Sequence, residues 1–307
     1  MRILLTADPM LPVPPPLYGG IERIIDLLVR GYMARGHKVA LVSHRDSTSA
    51  ATVRYSWPRE SVSALSSLRG AGGVLRAATR EFAPDVIHSF SRLLWLLAIA
   101  DYPQPRVMSY QREPSGRTVR LSNLLHRGKL SFTGCSEYIA RNGRERGRGN
   151  WTAIWNAIDL ATYTFAPRVA ADAPLVFLSR IEEIKGCHDA IAIAKRSGRR
   201  LLIAGNCLET GEAAVYWRER ILPEVGRNGI EYVGPVNDEQ KNQLLGQAAA
   251  MVVPICWNEP FGIVFIEALA CAAHGQDVLR PTLRPKGDAE LRLARTCYRH
   301  LAGQLGT

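Results

Sequence analysis

Short apolar runs alternate with helix-periodic segments along most of this chain, and that alternation points to a parallel-sheet architecture. Ile3–Thr6 reads as a buried strand. A proline-marked loop from Pro9 to Pro16 follows, ending in Leu17-Tyr18-Gly19-Gly20-Ile21-Glu22. Ile21, Ile24, Ile25, Leu28 and Tyr32 then fall on one helical stripe that stops near Gly36, and Val39–Val42 is a second strand. Strand, helix and strand in this succession form a βαβ unit, whose crossover makes the two strands parallel.

The units continue. Asp85–His88, Arg106–Tyr110, Phe132–Cys135 and Thr152–Trp155 read as strands, with a helix over Leu93–Ile99 and a chain entry into Ser136-Glu137-Tyr138-Ile139. A crossing rich in Ala and Pro runs from Asn156 to Pro174, after which the pattern restarts. Leu175–Ser179, Leu201–Ala204, Ile230–Val233 and Met251–Pro254 read as strands, Gly186–Lys195 and Asp238–Ala250 as helices. The expected fold class is therefore α/β, with two Rossmann-like doubly wound domains. Their boundaries are set at 1–162 for the first, 163–174 for the linker and 175–271 for the second, with an atypical tail at 272–307. Such halves place ligands at the C-terminal ends of strands, here in a cleft between domains.

With 307 residues the chain is long enough for two domains, and its 47% hydrophobic and 22% charged residues are ordinary for a globular protein. Its six cysteines stand without a C-x-x-C pair or metal-ligand spacing, which favours a reduced, cytoplasmic setting with no zinc site. No apolar run reaches bilayer length. The formal charge of +11 suits anionic ligands or peripheral association with an anionic membrane, but a solvated charged surface is the preferred explanation. No motif points to nucleic acid.

Two carboxylates, Glu259 and Glu267, flank seven residues that include Pro260-Phe261-Gly262. Apolar residues then recur at helix spacing (Ile263, Ile266, Ala270), so Glu267 sits on a helix whose first N–H groups offer a phosphate site. Eight residues of helix span about 12 Å, which suits carboxylates gripping opposite ends of an extended ligand. Taken alone, the spacing is better read as two acids beside an ordinary helix start. Gly19-Gly20 similarly reads as a phosphate-approach loop or a plain turn. Arg180 and Lys185 follow a strand end, where two cations would stabilise charge developing on a departing diphosphate. They also fit a surface pairing with Glu182 and Glu183. His88, at a strand end, is either a ligand-facing group or a hydrogen-bonded structural residue. Asn206, after Leu201–Ala204, is a further strand-end candidate.

The passage Gly246–Cys271, and the order of elements from residue 1 to about 271, resemble the retaining GT-B glycosyltransferases of family GT4. The resemblance implies that Arg180 and Lys185 ligate the donor diphosphate and that Glu259 contacts donor-sugar hydroxyls. It further implies that backbone N–H groups of Phe261, Gly262 and Ile263 lie near sugar and phosphate, and that Glu267 holds the ribose diol. Gly19 and Gly20 would lie against diphosphate and acceptor. Asn156-Ala157-Ile158-Asp159 matches the family's Asn-Gly-Val-Asp. Gln111 departs from the family, where many relatives have a His. Gln binds but cannot titrate, so only a binding role carries over. Acceptor specificity is expected in loops at Ser47–Gly73.

After Cys271 the family's Gly-Thr-Pro turn and later strands are missing. The chain reads Ala272-Ala273-His274-Gly275 instead, with one plausible helix opening at Asp288 and carrying Leu291, Ala294, Tyr298 and Leu301. A frameshifted or truncated second domain is the favoured expectation, a naturally shortened enzyme the other.

The expected activity is transfer of a hexose-type sugar from a nucleoside-diphosphate donor, with retention, to a sugar, lipid-linked or small-molecule acceptor, with no cofactor or metal required. The alternative is a non-catalytic nucleotide-sugar-binding or interaction protein. A GT-B sugar epimerase is disfavoured for lack of assignable further carboxylates and histidines.

Overall fold

The computed structural model describes residues 1–17, 19–58, 64–166 and 168–271. Its contacts divide the chain into two units. One holds Met1–Val169, Gly234–Gln247 and the segment from Glu259 onward; the other holds Ala170–Val233 and Ala248–Asn258.

In the first unit the chain runs β1 (Arg2–Thr6), α1 (Gly20–Ala34), β2 (Lys38–Ser43), β3 (Val53–Ser56), α2 (Ala64–Phe82), β4 (Val86–Ser89) and α3 (Leu93–Leu96). It continues through β5 (Arg106–Tyr110), α4 (Gly116–His126), β6 (Leu130–Gly134), α5 (Glu137–Gly147) and β7 (Asn150–Ala153). The strands form one seven-stranded sheet in the order β3-β2-β1-β4-β5-β6-β7, and every pair is parallel.

Successive strand residues face opposite sides of a sheet, and β1 shows the consequence. Ile3 and Leu5 pack with Val39, Leu41 and the α1 residues Ile25 and Val29. Leu4, between them, packs in a separate core with Ala40, Val42, Ile87 and the α2 residues Leu75 and Ala78. The alternation inside single strands thus builds two cores, one on each sheet face, and that is the doubly wound arrangement.

The second unit repeats the scheme in smaller form: β8 (Leu175–Leu178), α6 (Cys187–Ser197), β9 (Leu201–Ala204), α7 (Gly211–Tyr216), β10 (Ile230–Gly234) and β11 (Ala250–Met251). The sheet order is β10-β9-β8-β11. β8 is buried throughout and reads as an unbroken apolar run, as a central parallel strand should. α8 (Asp238–Gln247) and α9 (Ile263–Cys271) complete the described chain, and both fall with the first unit.

Several expectations are corrected. Ser47–Gly73 is not a set of loops: β3 and the start of α2 occupy much of it. The strand expected at Met251–Pro254 pairs regularly only over Ala250–Met251, with one more bond from Val252 N–H to Val176 O (2.8 Å). Pro254 has no N–H to extend the ladder. The helix expected to reach Ala250 stops at Gln247, because Ala249 N–H already bonds Pro174 O (2.8 Å) as the chain enters β11. The tail expected to carry a helix from Asp288 lies outside the described residues.

Candidate functional site

In the smaller unit the expected cations stand in the loop that follows β8. Arg180 lies two residues beyond β8, half-buried, with Nη1 donating to Glu182 Oε1 at 2.5 Å. The surface pairing read from the sequence is therefore present for Arg180. Lys185 differs. It closes a 3-10 turn, Glu183–Lys185, and is only 8% exposed. Its ammonium stands 4.9 Å from the centroid of the Trp257 ring, a cation–π distance.

The turn is tied to the chain beyond β11. Cys256 N–H donates to Ile184 O (2.8 Å), and Gly186 takes φ +72 with its backbone so near that a Cβ would stand 2.0 Å from Pro254 O. Only glycine closes this turn, and the closure is what buries Lys185. Asn206 sits beyond the end of β9, where its carbonyl accepts from Ile181 N–H (3.0 Å), so the loops after β8 and β9 are joined at their bases.

In the larger unit Gly19 precedes α1 with φ +145, and a Cβ there would meet Pro15 and the Glu22 carboxylate. Glu22 is itself buried, and burial pushes its carboxyl above the usual range, with the Asp8 charge adding to the push. Gly20 opens α1 beside Ile263, the first residue of α9: a Cβ on Gly20 would lie 3.2 Å from Ile263 Cδ1. Two candidates far apart in sequence are thereby neighbours. Phe261 and Gly262 form the turn into α9, and Phe265 N–H bonds Gly262 O (3.0 Å). Glu259, half-buried at the head of this turn, lies close enough to Cys135 for its charge to act on the thiol. That thiol is pushed up to about 12, first by burial and then by Glu259.

Glu267 is 6% exposed. Its Oε1 accepts from Tyr163 OH (2.8 Å) and from Lys241 Nζ (2.5 Å), a residue also 6% exposed. Lys241 donates again to Asp238 Oδ1 (2.9 Å), and Asp238 accepts from Arg23 Nε (2.8 Å) on α1. Burial alone would raise the Asp238 carboxyl, but the Lys241 hydrogen bond and the Lys241 and Arg23 charges outweigh it and hold the group low. Arg23 also donates to the carbonyls of Leu17 (2.5 Å) and Gly19 (3.2 Å). One polar chain therefore runs from the glycine loop through Arg23, Asp238 and Lys241 to Glu267 and Tyr163.

His88 Nε2 bonds Ser109 Oγ at 2.7 Å, and Ser109 Oγ bonds Thr133 Oγ1 at 2.6 Å, crossing β4, β5 and β6. Burial lowers the imidazole to about 4, so it is neutral at pH 7. Gln111 Oε1 accepts from Asn156 Nδ2 (2.7 Å), which joins the loop after β5 to the first residue of the Asn-Ala-Ile-Asp stretch. Among the described residues no group of three or more His, Cys, Asp or Glu side chains comes together as a metal site would need. None of the described helices is long and apolar enough to cross a membrane.

Sequence reasoning missed Lys241, Tyr163, Trp257 and Glu22. For Lys241 a signal existed in its i,i+3 spacing from Asp238. Burial of a lysine is not visible in such spacing.

Two units of parallel sheet and helix, the second smaller, are a GT-B fold. AviGT4, a glycosyltransferase involved in avilamycin A biosynthesis, superposes with a TM-score of 0.63 at 23% identity over 88% of this chain and 76% of its own. HepE (Alr3699) of Anabaena, solved with UDP-glucose, gives 0.66 at 18% identity over 88% and 78%. Residues 18–162 match the family model described as Glycosyltransferase Family 4, and residues 168–273 match Glycosyl transferases group 1. The glycogen synthase of Mycobacterium tuberculosis (strain ATCC 25618 / H37Rv) is 28% identical over 94% of this chain and 80% of its own length. The chain is a GT4-like glycosyltransferase.

Proposed function

We propose that this glycosyltransferase moves a hexose-type sugar from a nucleoside-diphosphate donor to a hydroxyl acceptor with retention of configuration. Arg180 and Lys185 hold the diphosphate and stabilise its growing charge as the bond to the sugar breaks. Glu259 takes donor-sugar hydroxyls, backbone N–H groups of Phe261, Gly262 and Ile263 take sugar and phosphate oxygens, and Glu267 takes the ribose. The departing phosphate oxygen accepts the proton of the incoming hydroxyl on the same face, so no side-chain nucleophile is needed. Two cations and a helix N-terminus supply the positive charge, and the reading needs no metal.

One observation carries it most directly. Lys185 is a cation 8% exposed in the loop that leaves the C-terminal end of the parallel strand β8, the side on which α/β sheets bind ligands. A cation held in place there answers the negative charge of a phosphate ligand. The relative solved with UDP-glucose shares the fold and supports the donor class. The acceptor is a sugar, lipid-linked or small-molecule hydroxyl, and the reading places the chain in the cytoplasm without a nucleic-acid partner.

The test is a calorimetric panel of UDP-, GDP- and ADP-sugars, followed by anomeric analysis by NMR of the transfer product of any donor that binds. An inverted product would reject retention. Absence of binding by every nucleotide would reject the donor class.

A further inference from the structure

The Glu267 carboxylate is held through one oxygen only. Oε1 accepts from Tyr163 OH (2.8 Å) and Lys241 Nζ (2.5 Å), which take both of its lone pairs, while no described residue donates to Oε2. The terminal torsion of a glutamate is broad, so an unheld carboxylate plane swings. Two donors converging on Oε1 from different segments fix that plane and leave Oε2 as the acceptor for a ligand. Burial and the Glu267 charge push the Tyr163 phenol upward, so it keeps its proton and stays a donor.

Lys241 is aimed in turn. An ammonium carries three donors on a flexible stem. A second of them meets Asp238 Oδ1 (2.9 Å), three residues earlier on α8. Asp238 is fixed by Arg23 Nε, 2.8 Å from Oδ1 and 3.1 Å from Oδ2. The other nitrogens of that planar guanidinium donate to Gly19 O (3.2 Å) and Leu17 O (2.5 Å), just before α1. Charges thus alternate in sign from α1 through α8 to α9.

Packing alone does not call for this relay. An apolar pair would also join α8 to α9, and replacing a buried ion pair with apolar groups is often neutral or stabilising. We propose that Arg23, Asp238 and Lys241 are positioning residues that set the Glu267 carboxylate for the ribose, with the carbonyls of Leu17 and Gly19 as their far anchor. They act through Glu267 and are assigned no contact with the nucleotide. The inference rests on Glu267 as the ribose ligand and adds what aims it. It makes ribose recognition depend on Arg23, a residue whose hydrogen bonds do not include Glu267.

The experiment measures by calorimetry, on the full chain, how much tighter a nucleoside diphosphate binds than its 2′,3′-dideoxy form. The probe is whichever of UDP, GDP and ADP binds. The wild type should prefer the ribose form about tenfold or more, the scale of hydrogen bonds to a charged group, and Glu267→Gln should erase most of that preference. Arg23→Gln should cut it about threefold or more, because members of a hydrogen-bonded network reinforce one another. Arg23→Lys, which keeps a cation against Asp238, should restore most of it. Tyr163→Phe, which removes one oxygen and keeps the ring, should cut the preference as Arg23→Gln does. The dideoxy form should bind all of these variants as it binds the wild type, which a general loosening of the fold would not give. If Glu267→Gln lowers the preference while Arg23→Gln and Tyr163→Phe keep it whole, the relay only stabilises the fold and this proposal alone falls. A wild type that binds both forms equally, or binds no nucleotide, would overturn the ribose assignment and the relay with it.

Discussion

Lys241 Nζ lies 2.5 Å from Glu267 Oε1, and both side chains are 8% exposed. The pair joins α8 to α9 and is extended by Tyr163 on one side and by Asp238 and Arg23 on the other. Taking two charges out of water is expensive, and leaving one of them unpaired is more so. Lys241→Met should therefore destabilise the protein by about 3 kcal/mol. The double variant with Glu267→Gln should lose clearly less than the sum of the two single losses, because the second substitution removes the stranded carboxylate. Urea unfolding of the four proteins gives the coupling. Simple additivity would mean that the pair is not linked as its geometry states.

Lys185→Ala should weaken nucleoside-diphosphate affinity by about 1.5–3 kcal/mol, the scale of a hydrogen bond to a charged group. The matching nucleoside, with no phosphate, should lose little. Arg180→Ala should behave alike but less strongly, because Arg180 is already engaged with Glu182. If both variants bind diphosphate as the wild type does, the cations have another task.

The two acids flanking the α9 turn should separate by function. Glu259→Gln should impair turnover and intact-donor affinity while the free diphosphate still binds. Glu267→Gln should weaken the diphosphate itself, and a 2′-deoxyribose ligand should feel that substitution less. Titration calorimetry with diphosphate, deoxy-diphosphate and donor tells these apart. Equal losses of diphosphate affinity in both variants would show the ends to be misassigned.

The parts legible from sequence are those whose signal is local. β1, β2, β8 and β9 were readable because central parallel strands are apolar without interruption, and α1 because one stripe carries its core contacts. α2 was not read: it begins Ala-Leu-Ser-Ser-Leu-Arg-Gly-Ala-Gly-Gly, where glycine and serine dilute the helical stripe. α4 escaped for the opposite reason, since its outward leucines fill the side that should have been polar. At the site, the motif gave the positions of Glu259 and Glu267 but not the partners that fill one oxygen of Glu267. Lys241 and Tyr163 come from segments 26 and 104 residues away, and only the fold brings them there.

The last expectation concerns acid. His126 is wholly buried, neither ring nitrogen has a hydrogen-bond partner, and burial followed by the Arg106 charge lowers its imidazole to about 4. His88 is lowered to the same level by burial. An unfolded histidine takes up a proton near pH 6.5, whereas these two resist it until about pH 4 in the folded chain. The unfolded state thus binds more protons across that window. Their contribution is intact above pH 6.5 and is lost progressively as the pH falls toward 4. His126→Leu removes one of the two titrations and a buried polar group without partners, so it should leave stability at pH 7 equal or higher. Its decline between pH 6.5 and 4 should be shallower by up to about 1.4 kcal/mol per pH unit. Urea unfolding at pH 7, 6, 5 and 4.5 measures both. A variant as acid-sensitive as the wild type would show that His126 already carries its proton in the folded chain, or reaches water that the packing of α4 excludes.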